Sequence, residues 1–145
     1  MKKTPVAPEG PALSELVQGY WRMGEWNRST QAHLTFLQQH LELGITTVDH
    51  AHVYGADPSC EALFGEVMKL QPGLRQKLEI VSKCGIELVD HADARVNHYD
   101  ASPSAIRTSV ETSLQRLGTD YLDVLLIHRP DSVSYTHLRA HETSE

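Results

Sequence analysis

From Leu16 onward, short apolar runs alternate with longer segments of helical period, the pattern of βα units laid around a parallel sheet. The run Leu16 to Tyr20 predicts a first strand, followed by a polar stretch through Glu25, Asn27 and Arg28. Ser29 or Thr30 then caps a helix whose Leu34, Leu37 and Leu41 share one face, and Gly44 closes it. Ile45-Thr46-Thr47-Val48, mostly β-branched, predicts a second strand ending at Asp49. A helix from Pro58 to Leu70 follows, with Pro58 in its first turn, Leu63, Val67 and Leu70 on one face, and a stop at Gln71-Pro72-Gly73. The third strand, Leu78 to Ser82, runs up to Lys83, and an irregular stretch from Gly85 to Ala101 comes after it. Ser102 caps a third helix with Pro103 at its first position, Ile106, Val110, Leu114 and Leu117 along one side, and Gly118 beyond its end. Leu122 to Ile127 is apolar except at Asp123, as a strand covered on both faces would be, and it ends at His128.

Two architectures share this alternation: a small flavodoxin-like domain and half of a barrel. No glycine-rich phosphate turn follows the first strand, and nothing after the fourth strand would cover the last face of an open sheet. The pattern therefore predicts an α/β fold, the N-terminal half of a (β/α)8 TIM barrel with about four parallel strands and three helices, truncated. Beyond Asp131 the periodicity disappears. Residues 133–143, Val133 to Thr143, resemble the translation of a transposase adapter used to prepare sequencing libraries. The expected organisation is a barrel segment over residues 1–131 and a non-native polar tail, adapter read-through, over 132–145.

Composition narrows the setting. With 40% hydrophobic residues, 22% charged and no long apolar run, the chain reads as globular with no membrane span. Its opening, Lys2 and Lys3 followed by Pro5, Pro8, Glu9 and Gly10, lacks the apolar stretch of a secretory signal. A net charge of −6 speaks against nucleic acid and for a small-molecule partner. Cys60 and Cys84 are expected as reduced thiols, incidental or buried, in a cytoplasmic protein of unassigned oligomeric state.

In a parallel barrel, chemistry gathers at the C-terminal ends of the strands. Those ends offer Asp49, Lys83 and His128, and Tyr54 lies just past Asp49. A phenol with a free pKa near 10 is a weak acid at neutral pH, but a nearby cation such as Lys83 stabilises the phenolate and makes the proton transferable. Asp49 would hold that lysine charged, and His128 would orient a carbonyl. Such a relay requires a hydride donor that no side chain can supply, which implies a reduced nicotinamide.

These positions carry a resemblance. Asp49, Tyr54, Lys83 and His128 match, in order and by strand end, the catalytic tetrad of the aldo-keto reductases. The run from Gly44 to Gly55, continued by Glu61 and Gly65, is similar to that family's signature around its second strand, and Leu125 to Asp131 to its fourth. The resemblance covers about residues 13–131. It implies an NADPH-dependent oxidoreductase reducing aldehydes or ketones, with NADP(H) beside Gly19, Tyr20, Trp21 and Asp49, Tyr54 as proton donor, substrate held by Tyr54 and His128, and no metal. It also implies that activity belongs to a parent protein, the chain alone being inactive.

Two other readings use the same residues. One is a nicotinamide-binding regulatory subunit, like the potassium-channel β subunits. The other is a metal-dependent barrel hydrolase using the H-x-H pair His50 and His52. In the reductase reading His52 lines the mouth of the site and His91 and His98 lie on the loop surface. Trp21, Trp26 and Tyr20 either stack on a ligand or cover the open end of the barrel.

Overall fold

The computed structural model describes residues 1–89 and 96–129. The chain begins with a hairpin absent from the sequence reading, β1 (Lys3–Pro5) paired antiparallel with β2 (Ala12–Ser14). Next come β3 (Val17–Gly19), α1 (Thr30–Glu42), β4 (Thr47–Asp49), α2 (Cys60–Lys69) and β5 (Glu79–Cys84). A second short hairpin, β6 (Ile86–Glu87) with β7 (His98–Tyr99), precedes α3 (Pro103–Leu117) and β8 (Val124–Ile127). The stretch expected to be irregular thus carries paired backbone at both ends, while His91 lies outside the described residues. So does the segment assigned to the tail.

Strands β3, β4, β5 and β8 form one parallel sheet in that order, with a helix between each successive pair. The sheet curves as part of a (β/α)8 barrel, the fold predicted from the alternation. In register, Gly19, Asp49 and Val81 lie side by side, as do Lys83 and Leu126. Because side chains alternate along a strand, these residues face the barrel interior, whereas Val48, Ile80 and Ser82 face the helices. Val48, Ile80 and Ser82 are fully buried, and Leu34, Leu37, Phe64, Val67 and Leu117 close over the apolar pair to form the core.

Local chemistry sets the helix limits. Ser29, Ser59 and Ser102 each cap a helix by accepting a hydrogen bond from the amide three residues on. Pro58 therefore stands just outside α2, not in its first turn. The buried face of α2 also differs from the expected one. It runs through Cys60, Glu61, Phe64, Gly65 and Val67, while Leu70 caps the end and is exposed. Helix α3 ends at Gly118, whose φ of 65° places it in the left-handed region that glycine enters without strain.

On α3 the expected apolar side is buried at Leu117 but only half-buried at Ile106, Val110 and Leu114; the other buried positions are Ser109 and Ser113. Small serines there let the helix approach closely. Strand β8, expected to be covered on both faces, pairs among the described residues only with β5 and leaves Leu125, Leu126 and Ile127 exposed. No described element lies across its outer side.

The N-terminal hairpin closes the other end of the barrel. Ser14 Oγ accepts from the amides of Thr46 and Thr47, the Ser14 amide donates to Thr47 Oγ1, and Lys3 pairs with Glu79 at 2.6 Å. Arg75 and Asp123 pair at 2.7 Å at the same end, and Asp123 also accepts from the Ile80 amide. Asp123, the polar exception in its strand, is thus a structural residue. No described helix is long and apolar enough to cross a membrane.

Candidate active site

The opposite end gathers the polar strand-end residues. Asp49 closes β4, and Lys83 lies one alternation above Asp49's register partner Val81, on the same interior face. From there Lys83 Nζ donates to Asp49 Oδ2 at 2.7 Å, lies 2.6 Å from Oδ1, and donates to the His50 carbonyl at 2.9 Å. Its remaining hydrogen reaches Tyr54 Oη at 3.1 Å. All three ammonium protons are directed, so the charge is fixed in place instead of swinging on its four-carbon stem.

Tyr54 is held as firmly by backbone. The amides of His50 and His52 donate to the Val81 and Lys83 carbonyls, which keeps the chain after Asp49 stitched to β5. The Tyr54 amide closes a turn on Ala51, and its carbonyl accepts from the Cys60 amide at the start of α2. Five residues after the strand, the phenol therefore returns to the lysine.

His128 arrives from β8, its amide continuing the ladder to the Cys84 carbonyl at 2.8 Å. Its ring stands nearly perpendicular to that of Tyr54, with centroids 5.6 Å apart. Burial lowers the imidazole pKa, the Lys83 and Arg129 cations lower it further, and Asp49 opposes them. The ring is neutral at neutral pH and carries one N–H to donate. Asp49, Tyr54, Lys83 and His128, spread over eighty positions of sequence, converge on one rim.

The residues expected beside a cofactor divide. Gly19 pairs with Asp49 in register, and a Cβ placed on it would meet nothing within 4 Å, so the interior surface there is flat and open. Trp21 is 61% exposed, and its ring lies 6.2 Å from that of Tyr54. Tyr20 does not join them. Strand alternation turns it to the helix side, where it is buried, stacked on His50 at 5.1 Å, and its hydroxyl bonds to His40 Nε2 at 2.9 Å. Trp26 belongs to the same aromatic cluster under α1. Of the three aromatics, only Trp21 stands at the open end.

The H-x-H pair is likewise interior. His50 is wholly buried between Tyr20 and Phe64, and burial drives its pKa down to about 3. His52, expected at the mouth of the site, is buried too. Among the described residues no group of three His, Cys, Asp or Glu side chains is arranged to hold a metal ion. Both cysteines are buried and free, Cys60 donating to the Trp21 carbonyl, and His98 is exposed on β7. Sequence reading had no signal for the His50 carbonyl as a lysine acceptor, because every residue type carries one.

Comparison with known proteins identifies the family. The model of the aldo/keto reductase family matches residues 15–143. The oxidoreductase YdhF of Escherichia coli is 49% identical over 131 residues, covering 90% of this chain but 44% of that protein. A 6-dehydroglucose reductase of Agrobacterium fabrum is 48% identical over 122 residues, 82% of this chain and 41% of its own. The holo form of an aldo-keto reductase from Bacillus halodurans superposes with a TM-score of 0.74 at 27% identity, over 98% of this chain and 46% of that one. The chain thus spans less than half the length of these relatives. A family match this long, joined to relatives almost half identical, means that the chain belongs to the aldo/keto reductase family.

Proposed function

We propose that the protein of which this chain forms part is a cytoplasmic, NADPH-dependent oxidoreductase that reduces aldehyde or ketone carbonyls to alcohols, with Tyr54 as the proton donor. One observation carries the reading: Lys83 Nζ bridges the Asp49 carboxylate and the Tyr54 hydroxyl at 2.7 and 3.1 Å. As the phenol proton moves to a carbonyl oxygen, negative charge develops on Tyr54 Oη. A fixed ammonium in a half-buried site stabilises that charge without having to reorganise. Asp49 keeps the ammonium aimed.

Neutral His128 contributes an N–H to the carbonyl oxygen, orienting the substrate so that its oxygen lies against the phenol. A reduced nicotinamide would supply the hydride that the carbonyl carbon takes up. The flat interior surface at Gly19, the exposed Trp21 ring and Asp49 fit such a planar group, and they are the residues of this chain that would hold it. The alcohol leaves carrying the phenol proton, and Tyr54 regains one from solvent.

The test uses the intact protein, assayed for NADPH and NADH oxidation against a panel of aldehydes, ketones, quinones and 6-dehydroglucose. Tyr54→Phe keeps the ring and removes only the acid, so kcat should fall by about 100- to 10,000-fold with KM little changed. Turnover equal to that of the unmodified protein would remove Tyr54 from the reaction.

A further inference from the structure

Behind the rim, on the helix side of the sheet, lies a buried polar network that the proposed reaction does not use. Glu61 on α2 is wholly buried, and Ser82, the residue before Lys83, donates to its Oε1 at 2.7 Å. Arg116 on α3 places Nη1 3.8 Å from Glu61 Oε2 and donates from the same nitrogen to the His52 carbonyl at 2.9 Å. His52 lies between Asp49 and Tyr54 in the segment that carries the phenol. That segment is thus gripped from two sides, by Lys83 on the His50 carbonyl within the barrel and by Arg116 on the His52 carbonyl outside it.

The packing is built to allow this. A Cβ at Gly65 would run into the Arg116 carbonyl, so the glycine lets α3 come close enough to α2 for the guanidinium to reach over Glu61. Among the described residues Glu61 pairs with no other cation, and a buried carboxylate is retained only where it is paired and hydrogen-bonded. Ser82 ties the same carboxylate to the strand that carries Lys83. The network therefore reaches a near neighbour of each half of the Lys83–Tyr54 contact, the Ser82 hydroxyl beside Lys83 and the His52 carbonyl two residues before Tyr54.

We infer that Arg116, anchored by Glu61, is a positioning residue that sets Tyr54 Oη against Lys83 Nζ. This rests on the catalytic reading above, and it deepens that reading by tying the phenol's placement to a side chain two helices away. Arg116 touches neither substrate nor cofactor. It acts through the His52 carbonyl, and displacements of about 1 Å at a reacting group cost on the order of a hundredfold in rate.

The experiment compares Arg116→Met, Arg116→Lys and Glu61→Gln in the intact protein, with Arg75→Met as the control. Arg75 forms the ion pair at the opposite end of the barrel, so its loss costs stability without touching the rim. Two signals are read: kcat and KM for carbonyl reduction, and the 19F resonance of 3-fluorotyrosine at position 54, assigned by its disappearance in Tyr54→Phe. Arg116→Met should lower kcat about tenfold to a hundredfold with KM within about threefold, and should move the 19F line. Arg116→Lys, with a single ammonium in place of a fork, should recover part of both, and Glu61→Gln should give a smaller loss in the same direction. Arg75→Met should lower the melting temperature and leave both signals unchanged.

If the Arg116 and Glu61 variants lose stability while kcat and the 19F line follow those of Arg75→Met, the network is structural only and the inference is overturned. If the unmodified protein reduces no carbonyl, the catalytic reading fails by itself, and the 19F line decides this one: moved in Arg116→Met and not in Arg75→Met, it stands, and unmoved it falls.

Discussion

Single residues at the rim have jobs that follow from where the backbone points them. Asp49, Lys83 and His128 could be located from sequence because a parallel barrel presents its strand ends at one rim, and a polar residue closing an apolar run is visible in the pattern. Tyr20 was misplaced for a reason of the same scale: one step along a strand reverses the side chain, and Gly19 and Tyr20 fall on opposite faces. Partners such as the His50 carbonyl and Arg116 leave no trace in sequence, since both depend on contacts between segments far apart in the chain. His128 yields a pH prediction. Burial, with the Lys83 and Arg129 cations behind it, lowers the pKa, so the ring takes up its proton only below the ordinary histidine value of about 6.5. Carbonyl reduction by the intact protein should therefore hold level as pH falls through that value and decline only at more acid pH, as the ring gains a charge beside Lys83. His128→Gln, which keeps a donor but cannot titrate, should lose that acid limb; a limb that persists in the variant belongs to another group.

Elements were legible where local chemistry decides them. Ser29 and Ser102 as caps, Pro103 at the start of α3 and Gly118 at its end all mark limits that the structure reproduces. Both hairpins were missed, since strands of two or three residues are too short to show a period and are held by tertiary partners such as Ser14 with Thr47. The helix side of the sheet is less ordinary, with three buried histidines: His33 and His40 on α1 and His50 between Tyr20 and Phe64. Burial lowers the pKa of each, that of His50 to about 3, where neither ring nitrogen has a hydrogen-bond partner among the described residues. The native state therefore keeps these rings neutral, whereas the unfolded chain protonates them near 6.5. Their stabilising effect is complete above that value and is lost as pH falls below it, for His50 down to about 3. The loss from His50 alone is about 1.4 kcal/mol per pH unit, or about 3 kcal/mol by pH 4.5. Glu61, with a pKa raised by burial, works in the opposite sense and softens the fall. Urea denaturation of the chain should show its midpoint dropping between pH 6.5 and 4.5, and His50→Phe should flatten the drop. A midpoint constant over that range in the unsubstituted chain would mean that the buried rings gain protons without opening the interface.

At the largest scale, the governing fact is that the four described strands leave the sheet open. Among the described residues, strand β3 pairs only with β4 and β8 only with β5, so the four-stranded sheet they form has two open edges. Leu16 and Val17 stand exposed at one, and Leu125, Leu126 and Ile127 at the other. A barrel avoids such edges by joining its last strand to its first. The chain covers 44% of the length of YdhF, so four strands are what the matching portion supplies. Exposed edge amides and carbonyls beside apolar side chains form a template for pairing with another chain, and a net charge of −6 supplies only modest repulsion, screened beyond about 8 Å at physiological salt. The 145-residue chain alone should therefore associate, its mass by light scattering rising with concentration and rising further as salt is added. Lysines introduced together at Leu125 and Ile127, which side-chain alternation places on one face of β8, should shift that curve toward the monomer by setting charges beside the open edge. Lysine at Leu70, equally exposed but at the far end of α2, should leave it where it was. A chain that stays monomeric across the concentration series, or one that responds to Leu70→Lys as strongly as to the β8 pair, would show that the open edge is not what drives association.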